Sequence, residues 1–145
     1  MLAARLSEIN SIGLVLASKS PRRSEILNNL GLQPVVCPSN FEETLEKKGI
    51  TPAQYVEATS RGKGLEVYQL KYSEGFRGLV ISADTVVVLD GMILEKPRDA
   101  EHAIEMLSQL SGSTHQVFTG VTILSALGTR KSLSCQLILT YVHIS

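Results

Sequence analysis

Two adjacent arginines near the start of the chain are the first residues whose types and spacing indicate chemistry. Arg22 and Arg23 follow Ser20 and Pro21, which suit the N-cap and the first position of a helix. A helix N-terminus carries partial positive charge, so each arginine there costs about a few tenths of a kcal/mol. A phosphate held between the guanidinium groups and the free backbone N–H groups would offset that cost. The alternative is that both arginines are solvated on the surface.

Asp84 is the second candidate, because it interrupts an apolar segment. Residues 78–89 are mostly Val, Ile, Leu and Ala, which predicts a central strand that is buried on both faces. An unpartnered buried carboxylate is costly, so Asp84 needs a lysine, a metal ion or several N–H groups. The alternative is a strand that breaks at Ala83-Asp84, with the carboxylate pointing to solvent.

Further charged residues follow neighbouring predicted elements. Glu42 and Glu43 follow the second strand, and together with Asp84 they offer carboxylate oxygens to Mg²⁺, although an acidic solvated loop is the alternative. Lys63 lies on a predicted helix among small residues, where it reaches an anion or extends to water. Lys96 follows the return strand of a predicted hairpin, which places it near the same end of the sheet as Asp84.

The reaction that these groups favour is hydrolysis of a phosphoanhydride. That chemistry needs cations to hold phosphates, Mg²⁺ to neutralise developing charge, and a carboxylate to position or deprotonate water. His102, His115 and His143 have no zinc-ligand spacing. The sequence also has no Walker loop, dinucleotide-binding glycine motif or Ser-His-Asp arrangement.

The elements that must position these residues alternate between strands and helices. We predict one α/β domain over residues 1–145, in the order βαβαββαββ, with a mixed central sheet and flanking helices. Thr51-Pro52-Ala53-Gln54 predicts a capped helix start, and Asp90-Gly91 predicts a hairpin turn. Gly62 and Gly64 weaken the long helix after Thr51 unless they let another backbone approach closely. The predicted helices cover residues 21–30, 52–71 and 100–110. The predicted strands are a short one that begins at residue 14 and those over residues 33–37, 78–89, 92–94, 116–124 and 133–144.

Composition excludes several classes of partner. The 14 Lys and Arg residues balance the 14 Asp and Glu residues, so no net charge draws the chain to nucleic acid or to an anionic membrane. The two cysteines, Cys37 and Cys135, have neither metal-ligand nor disulfide spacing, which fits a reducing compartment. No apolar run approaches the length of a membrane span. We therefore expect a cytoplasmic protein.

The chain resembles the Maf (septum-formation) family in six motifs that occur in order. The first is Ser18-Lys19-Ser20-Pro21-Arg22-Arg23, similar to the family's S-x-S-P-R-R motif. The others are Glu43 with Lys63, Ser82-Ala83-Asp84-Thr85, Leu94-Glu95-Lys96-Pro97, Met106-Leu107-Ser108-Gln109-Leu110-Ser111-Gly112 and His115-Gln116-Val117-Phe118-Thr119-Gly120-Val121. The resemblance covers about residues 12–124, and residues 128–145 form a divergent tail.

The resemblance implies a nucleoside triphosphate pyrophosphatase of the dTTP/UTP branch, with an inosine triphosphatase-like fold and often a homodimer. It implies that Asp84 is the catalytic base and that Glu43 is linked to a divalent cation, Mg²⁺ or Mn²⁺. Arg23 and Thr85 match positions tied to pyrimidine selectivity. The substrate-binding positions that the resemblance implies are Ser18, Ser20, Arg22, Arg23, Lys63, Thr85 and Lys96.

The sequence departs from the family in two places. Thr59, Ser60 and Gly64 flank Lys63 where the family usually has A-x-x-K-A. The family's later D-K-A-G-x-Y-x-I-Q segment, whose glutamine helps to read the base, has no counterpart, so we expect a C-terminally truncated Maf fold. The alternative to an active enzyme is a catalytically impaired nucleotide-binding or interaction protein.

Overall fold

The structure, a computed structural model, describes residues 2–94, 96–125 and 132–143, the last range by its backbone alone. Its helices are α1 (Leu2–Ile12), α2 (Pro21–Asn29), α3 (Pro52–Ser73) and α4 (Ala100–Leu110). Its strands are β1 (Leu14–Leu16), β2 (Val35–Val36), β3 (Leu79–Leu89), β4 (Met92–Leu94), β5 (Thr114–Ser125) and β6 (Ser132–His143). No helix in the described ranges is both long enough and apolar enough to cross a bilayer.

Within these ranges the strands form one mixed sheet in the order β2-β1-β3-β5-β6, with β4 added to β3. β1 runs parallel to β2 and β3, whereas β3 runs antiparallel to β4 and β5, and β5 antiparallel to β6. The predicted α/β class with a mixed central sheet is therefore confirmed. The predicted element order is also found, with helix α1 added before it.

The local signals account for most element boundaries. Thr51 Oγ1 accepts a hydrogen bond from Gln54 N (3.1 Å), and Gln54 Oε1 accepts one from Thr51 N (3.0 Å), so the predicted capping box starts α3. Asp90 and Gly91 both have positive φ angles, 51° and 78°, as a tight hairpin turn requires. The second strand is shorter than predicted, with two residues instead of five, because Pro34 and Pro38 on either side cannot donate to the ladder. The predicted turn at residues 127–130 lies outside the described residues.

Helix α3 packs against one face of the sheet and builds the core with it. Val67 and Tyr68 of α3 join Val15, Val80 and Leu124 in the buried cluster. The approach is close: a Cβ at Gly64 would lie 2.6 Å from Ser82 Oγ, and a Cβ at Gly120 would lie 2.5 Å from the Val56 carbonyl oxygen. Close packing is therefore the reason for glycine at position 64.

Short hydroxyl side chains link α3 to the sheet. Ser60 Oγ lies 2.9 Å from Thr122 Oγ1, and Ser82 Oγ donates to the Ser60 carbonyl oxygen at 2.6 Å. All three residues are fully buried. These directional contacts fix α3 along the sheet axis as well as against the sheet, and they determine which α3 residues reach β3.

Candidate active site

The candidate site forms where one edge of β3 lacks a neighbouring strand. On that edge β1 pairs with residues 79–81 and β4 pairs with residues 87–89. In the described part of the chain, residues 82–86 have no strand partner there. The turn after β1 and helix α2 supply donors instead: Ala17 N donates to the Ile81 carbonyl oxygen (2.8 Å), and Arg23 Nη1 donates to the Ala83 carbonyl oxygen (3.0 Å).

Arg23 connects the start of α2 to β3. Besides Ala83, its Nη1 donates to Ser18 Oγ at 3.1 Å, and its Nη2 donates to Thr85 Oγ1 at 3.2 Å. Burial lowers the pKa of Arg23 from its ordinary value, while the charges of Asp84 and Glu43 act in the opposite direction. A guanidinium group nevertheless keeps its charge at neutral pH. Arg23 is thus a fixed cation with a defined orientation.

The turn before α2 is ordered by its own serines. Buried Ser18 accepts a hydrogen bond from Ser20 N at 3.1 Å in addition to the one from Arg23. Ser20 is the N-cap of α2, and its Oγ accepts from Arg23 N at 3.4 Å. This geometry confirms the predicted helix start at Ser20-Pro21 and presents the N-terminus of α2 to the same region as Asp84.

Asp84 is buried in an unbroken strand and is paired with Lys63. Its residue exposure is 5%, and its Oδ1 accepts from Lys63 Nζ at 3.0 Å. The alternative of an interrupted strand with a solvated carboxylate is therefore wrong. Asp84 Oδ2 is also buried and has no hydrogen-bond partner among the described residues. That oxygen is available to a group that the protein does not supply.

Lys63 bridges two carboxylates. Its Nζ lies 2.7 Å from Glu43 Oε1 as well as 3.0 Å from Asp84 Oδ1. Burial lowers the pKa of Lys63, but its hydrogen bonds to Glu43 and Asp84 and their charges outweigh burial, so the pKa lies above its ordinary value. Lys63 therefore stays protonated, and the interpretation in which it extends to water is wrong.

Glu43 lies at the outer side of this cluster, with a second lysine beyond it. Lys96 Nζ is 3.3 Å from Glu43 Oε1, and its side chain is 82% exposed. Burial raises the pKa of Glu43, but the hydrogen bonds and charges of Lys63 and Lys96 lower it by more than burial raises it. The pKa of Glu43 therefore lies below its ordinary value. Lys96 is therefore a solvated cation at the edge of the site, whereas Lys63 is mostly buried.

These groups surround a cavity of about 320 Å³. Eight of the nine predicted site residues line it, and in the described part of the chain Arg22 is the exception. The residues at its wall are Ala17, Ser18, Lys19, Ser20, Arg23, Ser39, Phe41, Glu43, Lys63, Asp84, Thr85 and Lys96. The structure thus brings four cations, two carboxylates and a helix N-terminus to one concave site.

Arg22 does not line this cavity. It borders a second, largely apolar groove, together with Ile26, Leu27, Ile81 and Val121. Successive residues on a helix point about 100° apart, and Arg23 borders both this groove and the site cavity, whereas Arg22 borders the groove alone of these two. That Arg22 binds phosphate stays a prediction.

Sequence reasoning did not select four residues that the structure brings to the site. Lys19, Ser39 and Phe41 line the cavity, and Thr119 Oγ1 lies 3.0 Å from Thr85 Oγ1. Lys19 belongs to the Ser18–Arg23 motif, but a lysine in a loop is usually solvated, so its type alone does not indicate a site residue. Thr119 pairs with Thr85 across the β3–β5 ladder. Only the strand register would have placed Thr119 beside the site, and the sequence alone does not determine that register.

The carboxylates fit a hard divalent cation. Asp84 Oδ2 is buried and has no partner in the described ranges, and Glu43 lies across Lys63 from it. No group of three or more His, Cys, Asp and Glu side chains capable of holding a metal occurs in the residues that the structure describes. A cation here would thus be held by few protein oxygens, with Glu43 as the ligand, and completed by water and substrate oxygens, which is the coordination that Mg²⁺ prefers.

Comparison with known proteins gives the family. The Maf-like protein family model matches residues 13–145. A dTTP/UTP pyrophosphatase of Clostridium perfringens is 47% identical over 113 residues, which are 77% of this chain and 57% of that protein. A dTTP/UTP pyrophosphatase of Vibrio cholerae is 50% identical over 110 residues, which are 76% of this chain and 57% of that protein. A probable bifunctional dTTP/UTP pyrophosphatase/methyltransferase protein of Homo sapiens is 51% identical over 113 residues, which are 76% of this chain and 18% of that protein.

The chain therefore belongs to the Maf-like family. It spans a little over half the length of the bacterial relatives that it matches. The family model reaches residue 145, and the divergence of residues 128–145 stays a prediction.

Proposed function

We propose that this chain carries the catalytic centre of a nucleoside triphosphate pyrophosphatase, which hydrolyses dTTP, UTP or modified pyrimidine nucleotides to the monophosphate and pyrophosphate. The observation that carries the proposal is the position of Asp84. It is a buried carboxylate at a cavity lined by four cations, and one of its oxygens has no hydrogen-bond partner among the residues that the structure describes. The names of the relatives supply the substrate class.

In the proposed reaction the triphosphate lies between the N-terminus of α2, Arg23 and Lys96. Asp84 Oδ2 accepts a proton from water, whose oxygen attacks the α-phosphorus. The bond between that phosphorus and the oxygen bridging to the β-phosphate breaks, and pyrophosphate leaves. Lys63 keeps Asp84 ionised and oriented.

A divalent cation, Mg²⁺ or Mn²⁺, belongs to the proposal, with Glu43 as its protein ligand, while Asp84 acts as the base. When bound it would neutralise charge on the phosphates. Arg23 and Thr85 are proposed to contribute to pyrimidine selectivity. Their hydrogen bond fixes both groups at the cavity wall. We further propose a homodimer in the cytoplasm, and sedimentation of the purified chain tests its oligomeric state.

The test of the function is pyrophosphate release from a panel of nucleoside triphosphates with Mg²⁺ or Mn²⁺, beside equilibrium binding of the same nucleotides. Release that is faster with dTTP and UTP than with purine nucleotides is expected. Binding without release would contradict the proposal and support a catalytically impaired nucleotide-binding protein. If the chain neither binds nor hydrolyses these nucleotides, the enzyme and the nucleotide-binding protein are both contradicted, and an interaction protein is the remaining hypothesis.

A further inference from the structure

The carboxylate of Glu66, on α3, holds the segment that precedes Glu43. Glu66 Oε1 accepts a hydrogen bond from Asn40 N at 2.9 Å, and Oε2 accepts one from Ser39 Oγ at 3.2 Å. Ser39 Oγ in turn accepts from Phe41 N at 3.0 Å. One side chain of α3 thus orders three consecutive residues of a segment that is neither helix nor strand.

A second contact with α3 lies one turn away from the first. The ring of Phe41 covers Gly62, where an added Cβ would overlap the ring atoms. Gly62 and Glu66 are four residues apart and so share a face of α3. The segment at residues 39–41 is therefore attached to this face by a charged hydrogen-bond acceptor and by an aromatic ring.

The attached segment leads directly into the site. Glu43 follows Phe41 by two residues, and Lys63, its partner at 2.7 Å, follows Gly62 by one. We propose that Glu66 is a positioning residue, which fixes residues 39–41 on α3 and thereby holds Glu43 against Lys63 at the cavity. The use of this arrangement in catalysis rests on the proposed function, whereas the arrangement itself does not.

Glu43 needs such an anchor, because its own contacts are partly exposed. Its side chain is 31% exposed, and Lys96 is almost entirely exposed. Partly solvated ion pairs contribute little and restrain long side chains weakly. A hydrogen bond from a backbone N–H to a carboxylate is stronger and has one geometry. Glu66 therefore supplies the positional restraint, while Lys63 supplies the charge.

The first measurement is hydrogen exchange of the backbone amides in the Glu66→Ala variant. We expect the amides of Asn40 and Phe41 to exchange about tenfold faster or more, because Asn40 N loses its acceptor and Ser39 Oγ, the acceptor of Phe41 N, loses its own hydrogen bond to Glu66. Glu57→Ala is the matched control, since Glu57 is an exposed glutamate on the same helix. It should leave those amides unchanged.

The second measurement reads the contact between Glu43 and Lys63 without any turnover. Only a neutral amine reacts with an acylating reagent, so protonated Lys63 should label slowly. In Glu66→Ala we expect Lys63 labelling to rise about threefold or more, toward the rate in Glu43→Gln. In the double variant with Glu43→Gln, Glu66→Ala should add nothing. Exposed Lys48 of the same chain serves as the internal reference.

Glu66→Gln separates positioning from general destabilisation. Its amide keeps one acceptor oxygen for Asn40 N, so it should restore most of the slow exchange and slow labelling. Unchanged Lys63 labelling in both Glu66 variants would overturn the proposal, as would equal acceleration of all lysines. None of these readouts requires pyrophosphate release, so failure of the proposed function would leave the result standing.

Discussion

Lys63 Nζ lies 3.0 Å from Asp84 Oδ1 and joins the middle of α3 to the middle of β3. Both side chains are mostly buried, with exposures of 15% and 7%. The pair therefore differs from Lys71 and Glu74, which lie 3.1 Å apart on the surface of α3. Removing one partner of a buried pair leaves the other charged and desolvated, so the two residues are expected to depend on each other.

Asp84→Asn should lower pyrophosphate release from dTTP or UTP by about 10²–10⁴-fold, the usual contribution of a general base. The amide cannot accept a proton in the proposed step. Initial rates measured with excess Mg²⁺ check this, and circular dichroism checks that the fold persists. Asp90→Asn makes the same chemical change at the hairpin turn, where asparagine suits the positive φ angle. Rates for Asp84→Asn within a few-fold of the unmodified chain would remove this residue from the mechanism.

Glu43 should make stability depend on pH on the acid side. Its folded-state pKa lies below the ordinary 4.5, so its ion pairs contribute stability above that pH and lose it as the pH falls through the folded-state value. Lys63 behaves in the opposite sense: its contribution is present below the ordinary 10.5 and disappears as the pH rises through its raised pKa.

Urea unfolding midpoints measured from about pH 6 to pH 3 check the acid limb. Glu43→Gln should flatten the dependence, whereas Glu46→Gln, an exposed change in the same loop, should keep the original slope. The same slope in both variants would show that the ion pairs of Glu43 do not contribute.

Arg23→Lys should weaken both the fold and anion binding, because an ammonium group cannot serve Ser18, Ala83 and Thr85 at once. We expect a loss of about 1–3 kcal/mol in the free energy of unfolding and about tenfold weaker binding of inorganic pyrophosphate by calorimetry. Arg61→Lys, an exposed arginine on α3, controls for the substitution itself. Equal affinities in the two variants would argue against Arg23 as an anion ligand.

Gly64→Ala should destabilise the fold, although alanine favours the helix by about 1 kcal/mol. The new methyl group would meet Ser82 Oγ at 2.6 Å, and overpacking of this kind typically costs about 1–3 kcal/mol. Urea unfolding measures the change. In a Ser82→Ala background the cost of Gly64→Ala should fall, because the opposing oxygen is gone. An equal cost in both backgrounds would place the strain elsewhere.

The sequence predicted those parts of the fold that local chemistry determines. The capping box at Thr51, the turn at Asp90-Gly91 and the N-cap at Ser20 each depend on neighbouring residues, and each is found. Asp84 could also be selected, since a carboxylate in an apolar strand must have a partner. That partner was one of several alternatives, because Lys63 lies 21 residues away.

Other parts of the site depend on long-range geometry. The contact of Thr119 with Thr85 depends on the β3–β5 register. Which of the two arginines reaches the site cavity depends on the rotation of α2 over the sheet. Helix α1 was missed because none of its described residues is buried, so its sequence carries no strong core-facing pattern. In each case the deciding interaction lies far along the chain or in solvent.

The buried hydroxyl contacts between α3 and the sheet have a consequence for how the chain can change over time. Apolar packing tolerates sliding, but the contacts of Ser60 with Ser82 and Thr122 hold only at one position. A slip of one helical turn, about 5.4 Å, would carry Lys63 out of reach of Asp84. Aliphatic replacements at these three positions would preserve volume while erasing the alignment. A protein that acquired such replacements would keep a stable domain and lose the alignment of the site.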